Sequence, residues 1–336
     1  MLLKCSMGAQ ETSLLDVKSF ESGKNFSIVV ALKSVETKLS KNETEYLSIV
    51  IGDKNTSCIC NIFGDSPTYN FFKVATPGCI ILLEGVAKDY RGNFSPKLTA
   101  VRLLSPEEIT QGNWLQKVTF STNEGIDFLR NEFFSIVATI SDTKLQHTIL
   151  TVIDELGEDF FTRAAGISMH HAYKNGLLEH TVHSARSGMA LLKLYHFINY
   201  DISIAGLLLH DVGKTLEYTD DLVAQKTKIG MLQGHLVLGY RLVRKAAIQN
   251  KLDDDIAERL EHILLSHHDK PEFGAVVRPS TPEAVFVALV DNLDAKMGMV
   301  EQLLRSTPSK NVFSERHPGL ETKLLVLPID QHPEDE

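Results

Sequence analysis

The sequence predicts a multidomain α+β chain, with a β domain first and an all-α domain after it. Two patterns lead there. Between residues 26 and 104, β-branched-rich runs are broken by Gly, Asn, Asp and Pro; from 105 onward, apolar residues recur at helical spacing with few strand signals. Length agrees: 336 residues exceed one average domain, and 43% apolar residues are enough for a core in each.

Residues 1–25 are mixed and polar. Five strands follow, in 26-FSIVVALKSVET-37, 45-EYLSIVIGD-53, 56-TSCICNIFGD-65, 78-GCIILLEGVAKDY-90 and 93-NFSPKLTAVRLL-104. The stretch 89-DYRGN-93 reads as a hairpin turn, and 66-SPTYNFFKVATP-77 leaves room for a short helix between the third and fourth strands. Five strands with that insertion is the layout of an OB-type barrel, another small barrel or sandwich being the alternative.

Ser105 followed by Pro106, Glu107 and Glu108 is a helix start. The segments 124-EGIDFLRNEFFSIVATI-140 and 145-LQHTILTVIDEL-156 have helical apolar spacing. The expected division is a β domain over 1–105, a helical connector over 106–160, a second globular domain over 161–310 and a tail over 311–336, rich in Pro and charge.

The net charge of −9 excludes a general coater of nucleic acid, so any polyanion site must be a local patch. Residues 1–105 hold 12 Lys and Arg against 10 Asp and Glu, so the acidity lies beyond them. The four cysteines, Cys5, Cys58, Cys60 and Cys79, form no C-x-x-C pair; Cys58 and Cys60 would share one face of a strand, and all read as reduced thiols. No signal-peptide pattern opens the chain, and no apolar run approaches the roughly 20 residues of a spanning helix. A reducing cytoplasm and no membrane partner are the expectation.

The chemistry gathers after residue 169. His180, His210 with Asp211, His235, His267 with His268, and Asp291 each lie at the end or edge of an apolar helical run. Apolar helices fix the backbone while polar side chains project into a shared groove, as in helical metal sites. Imidazoles with carboxylates suit Mn, Fe, Co or Zn better than Ca. A lone histidine is more often an ordinary core or surface residue, so spacing alone leaves a metal site and a set of structural histidines both open.

The order His180, His210-Asp211, Asp291 resembles the HD-domain superfamily of metal-dependent phosphohydrolases, and His235 with His267-His268 completes the pattern of its two-metal members. An OB-type domain ahead of it, together with 170-HHAYKNGLLEHT-181, 206-GLLLHDVGK-214, 266-SHHDKPEFGA-275 and 291-DNLDAK-296, is similar to the YhaM-type 3′–5′ exoribonucleases of bacteria, from about residue 12 to about 315.

The resemblance implies one metal held by His180, His210, Asp211 and Asp291, and a second held by Asp211, His235, His267 and His268, with Asp211 bridging. The two divalent ions would be manganese first, with Fe, Co, Mg or Zn as alternatives, and would support attack of activated water on a phosphodiester. Asp211 would be catalytic as well as a ligand, and Lys214 would neutralise charge growing on the phosphoryl oxygens. His171 and Tyr173 fall in one of these phrases and are candidates for the substrate entry, a polar loop being the alternative. Asp294 either orients a ligand or lies on a solvated helix face.

For the OB-type domain, Tyr69, Tyr90, Arg91, Phe94 and Lys97 are candidates for stacking and backbone contacts with a single strand. Its near-neutral charge suits a substrate held at the active site as well. The function implied is 3′–5′ degradation of single-stranded RNA, or of single-stranded DNA, to 5′-mononucleotides, in a chain that could form a homo-oligomer. A phosphodiesterase or phosphatase for a small nucleotide or cyclic dinucleotide is the second reading, and a non-catalytic nucleic-acid-binding protein the third. The complete ligand set argues against the last.

Overall fold

The computed structural model describes residues 12–90, 93–120, 124–167, 172–308 and 311–326, with the backbone alone at Tyr90 and Asn93. The chain divides into two compact units: residues up to Phe120 together with those from Val300 onward, and residues 121–299. The segment expected as a connector is thereby shared between them.

The first unit opens on helix α1 (Leu14–Lys18), started by a capping box between Ser13 and Asp16. Strands β1 (Asn25–Leu39), β2 (Glu45–Gly52), β3 (Ser57–Phe63), β4 (Ile80–Val86) and β7 (Lys97–Leu103) form one sheet in the order β3-β2-β1-β4-β7. Strand β1 is long enough to serve two neighbours: Asn25–Ala31 pairs antiparallel with β4, and Ala31–Leu39 with β2. A register shift between Leu32 and Ser34 bends it within the stretch that pairs with β2, which lets the sheet curl. Helix α2 (Tyr69–Val74) lies between β3 and β4 and buries Phe72. This is the OB layout that the five runs predict.

The alternation of β3 sends Cys58, Cys60 and Ile62 into the core beside Val30, Leu47, Ile49 and Leu83. Cys58 and Cys60 are buried free thiols with their Sγ atoms 3.9 Å apart. A small hairpin, β5 (Asp89–Tyr90) with β6 (Asn93–Phe94), stands where 89-DYRGN-93 predicts a turn. Helices α3 (Pro106–Gln111) and α4 (Trp114–Val118) follow; Ser105 caps α3 in a capping box with Glu108, as its sequence predicts.

The second unit is helical: α5 (Ile126–Val137), α6 (Thr143–Leu156), α7 (Glu158–Thr162), α8 (Gly176–Leu192), α9 (Tyr200–Leu209), α10 (Lys214–Glu217), α11 (Lys228–Gln249), α12 (Asp254–Ser266) and the part of α13 (Pro282–Ser306) before Val300. At its centre is α9, where every residue from Ile202 to Leu209 is buried. A helix apolar all round can only be a core helix. Around it pack Leu177, Leu178 and Val182 of α8, Leu260, Ile263 and Leu264 of α12, and Val287 and Val290 of α13. Among the described residues, no helix is long and apolar enough to cross a membrane.

Candidate metal centre

The apolar centre presents polar groups at its helix ends. His210 is the C-terminal cap of α9 and Asp211 follows it. His267 caps the C-terminus of α12, and His268 is next in the chain. His180 lies one turn into α8, and Asp291 lies on α13. His235 follows Gly234, whose φ of 69° kinks α11. Only glycine accepts that backbone readily, and the kink is what re-aims His235.

Seven side chains thereby converge in two groups able to hold a metal: His180, His210 and Asp291; and Asp211, His235, His267 and His268. His180 Nε2 lies 3.1 Å from His210 Nε2 and 3.2 Å from Asp291 Oδ1. Asp211 reaches both groups. Its Oδ2 is 3.4 Å from His210 Nε2 and 3.5 Å from His180 Nε2, while its Oδ1 is 3.5 Å from His235 Nε2 and 3.6 Å from His267 Nε2. His235 Nε2 and His268 Nε2 are 3.2 Å apart.

Each ring is held from behind through Nδ1. His180 bonds Asp294 at 2.7 Å, His210 the Leu207 carbonyl at 2.9 Å, and His235 Glu217 at 2.6 Å. His267 bonds the Leu264 carbonyl at 3.1 Å and His268 the Phe273 carbonyl at 2.9 Å. Carboxylates and carbonyls accept, so each Nδ1 donates and each neutral ring turns its Nε2 lone pair inward. Two lone pairs 3.2 Å apart, as on His235 and His268, repel unless a cation lies between them. Among the described residues, Asp211 Oδ1 and His267 Nε2 are buried with no hydrogen-bond partner, an arrangement that is costly in a closed interior and suited to metal coordination. The donor set therefore fits divalent metal.

The charges agree. Burial raises the Asp211 carboxyl, but Lys214 and His210 outweigh it and hold it well below the usual range. Burial likewise opposes ionisation of Asp291, and its hydrogen bond with His180 overrides this. Burial pulls His267 down and takes His268 to about 3, so both are neutral ligands at neutral pH. Burial also lowers His180, yet Asp291 and Asp294 together lift it to about 10. A proton then takes the place between His180 and Asp291 that a cation would occupy, and metal binding would displace it.

Of the remaining site candidates, Lys214 stands with Nζ 2.5 Å from Asp211 Oδ2. Tyr173 is half-buried and its phenol donates to Glu179. In the OB unit, Tyr69 packs against the core and donates to Glu45 at 2.8 Å; Phe94 is half-buried and Lys97 exposed. Arg91, His171 and the Tyr90 side chain lie outside the described residues.

Two features escape the sequence reading. Glu217, which holds His235, is itself paired with Lys226 at 2.8 Å; burial raises its carboxyl, but His235 and Lys226 bring it to about 2. Tyr46 and Phe63 stack with ring centroids 5.3 Å apart on β2 and β3. Phe63 takes the outward alternate of Cys58, Cys60 and Ile62, and that alternation was the available signal.

Residues 177–296 match the HD domain family model. The chain is 27% identical to the 3′-5′ exoribonuclease YhaM of Geobacillus sp. over 92% of its own length and 94% of the relative's. It is 28% identical to the protein of that name from Listeria welshimeri over 95% and 99%, and 27% identical to that from Shouchella clausii over 88% and 91%. Among solved structures, the mitochondrial single-stranded DNA binding protein Rim1 of S. cerevisiae matches 25% of this chain and 97% of its own at 22% identity, with a TM-score of 0.22.

Proposed function

We propose that this chain, which resembles YhaM exoribonucleases along nearly its whole length and has an HD domain at its catalytic end, is a metal-dependent 3′–5′ exoribonuclease. Its substrate is single-stranded RNA, with single-stranded DNA as an alternative, and its products are 5′-mononucleotides. The observation that carries this reading is the inward convergence of five Nε2 atoms on Asp211 and Asp291.

His180, His210, Asp291 and one oxygen of Asp211 would hold one divalent ion; the other Asp211 oxygen, His235, His267 and His268 would hold the second, manganese first. Ions so placed supply an activated water and charge stabilisation for displacement at phosphorus. The chain's own part is to fix geometry. Asp294 and Glu217 hold two of the rings, and Lys214 keeps a positive charge beside Asp211, where it can meet phosphoryl oxygens. In the OB unit, Lys97 and the stacked pair Tyr46–Phe63 are the groups we assign to the strand, bases on rings and phosphates on the ammonium.

The test is 5′-labelled single-stranded RNA with Mn²⁺, comparing wild type with Asp211→Ala. A ladder shortening from the 3′ end, lost in the variant and in EDTA, is the expected outcome. Intact RNA with every divalent metal tried would overturn the reading.

A further inference from the structure

The turn after His267 and His268 is short and closely bonded. Phe273 N–H donates to the Lys270 carbonyl at 2.9 Å, Gly274 N–H to Pro271 at 2.9 Å and Ala275 N–H to Lys270 at 3.2 Å. Val276 N–H then bonds the Leu265 carbonyl at 2.9 Å, tying the turn back to α12. Gly274 sits at φ 103°, a conformation glycine alone adopts readily. The turn is thus held in one shape, and the Phe273 carbonyl is the acceptor that orients His268.

On this turn the Phe273 side chain is 67% exposed. Core packing does not account for a ring so placed. Its backbone is one hydrogen bond from a metal-ligand candidate, and Lys270 Nζ stands 5.7 Å from its centroid. An exposed aromatic face on a fixed backbone beside an ammonium is what single-strand binders use, the face for a base and the charge for a phosphate.

We infer that Phe273 is a stacking platform for a nucleobase next to the scissile phosphate, with Lys270 meeting a backbone phosphate of the same strand. This rests on the exoribonuclease reading and adds how the strand end is held at the HD domain. Stacking makes no base-edge contact, so the platform tolerates every base. Phe273 contributes binding and moves no proton.

The experiment measures kcat and KM with Mn²⁺ for wild type, Phe273→Ala and Phe273→Trp. Two RNAs of one length are compared: a normal one, and one whose last two 3′ nucleotides are abasic. On normal RNA, Phe273→Ala should raise KM about tenfold or more, and Phe273→Trp should restore it. On abasic RNA the alanine penalty should disappear, because the ring then has no base to meet. The Phe273 carbonyl is backbone, so the bound metal should be unchanged in either variant. An equal penalty on both RNAs, or none on normal RNA, overturns the platform alone. A wild type that shortens neither RNA overturns the exoribonuclease reading and the platform with it.

Discussion

Each imidazole at the centre has one nitrogen committed and one offered. The committed one matters as much, because it fixes the tautomer and the angle of the ring. Glu217 does this for His235 at 2.6 Å, buried and itself held by Lys226. Replacing Glu217 with Ala removes the acceptor and leaves His235 free to turn or to protonate the wrong nitrogen. Asp294→Ala does the same to His180, now bonded at 2.7 Å. Each change should weaken Mn²⁺ binding about 10- to 100-fold, with Glu217→Gln in between. Titrating the apoprotein with Mn²⁺ and counting free ion by electron paramagnetic resonance checks this. Unchanged affinity in Glu217→Ala would reduce that residue to a partner of Lys226.

At the scale of elements, the centre is an assembly of helix ends held by close backbone approach. Gly213 shows how close: a Cβ there would lie 1.9 Å from the His235 carbonyl oxygen and 2.5 Å from Gly239 N. Both are backbone atoms of α11 and cannot swing aside. Gly213→Ala should therefore push α10 from α11, lower stability by about 1–3 kcal/mol and spread Asp211 from His235. A lower melting temperature together with weaker Mn²⁺ binding is the expected pair of results; a lower melting temperature with intact metal binding would separate the packing from the site. The seven ligand candidates were legible in the sequence because His and Asp at the ends of apolar runs stand out against their surroundings, while only the resemblance grouped them as a metal-binding set. The strands were legible for a similar reason, since β3 alternates residue by residue. Glu217 was not legible. Its helix has four residues, and its partner lies 18 positions away across the close approach at Gly213, a contact that only folding creates. The outward place of Phe63 could be had only from the alternation that sends Cys58, Cys60 and Ile62 inward, and its stacking on Tyr46 appears only in the folded sheet.

For the whole molecule, the division into two compact units has a thermodynamic consequence. All seven ligand candidates belong to residues 121–299, and the barrel has none of them. Lone pairs facing one another at 3.2 Å, beside a buried carboxylate oxygen with no hydrogen-bond partner among the described residues, weigh against the metal-free fold of that unit alone. Metal that binds the folded cluster and not the unfolded chain stabilises it by about 2.7 kcal/mol at a free concentration 100 times Kd. For a unit of this size that is a rise of about 5–10 °C in its melting temperature. Calorimetry of the full chain in EDTA and in Mn²⁺ should then show two transitions, of which one moves and the other stays. The moving one should be lost as a metal-sensitive step in Asp211→Ala, which removes the carboxylate common to both groups. If both transitions move together, the units unfold as one body; if neither moves, the five converging imidazoles hold no ion and the metal-dependent reading fails at its foundation.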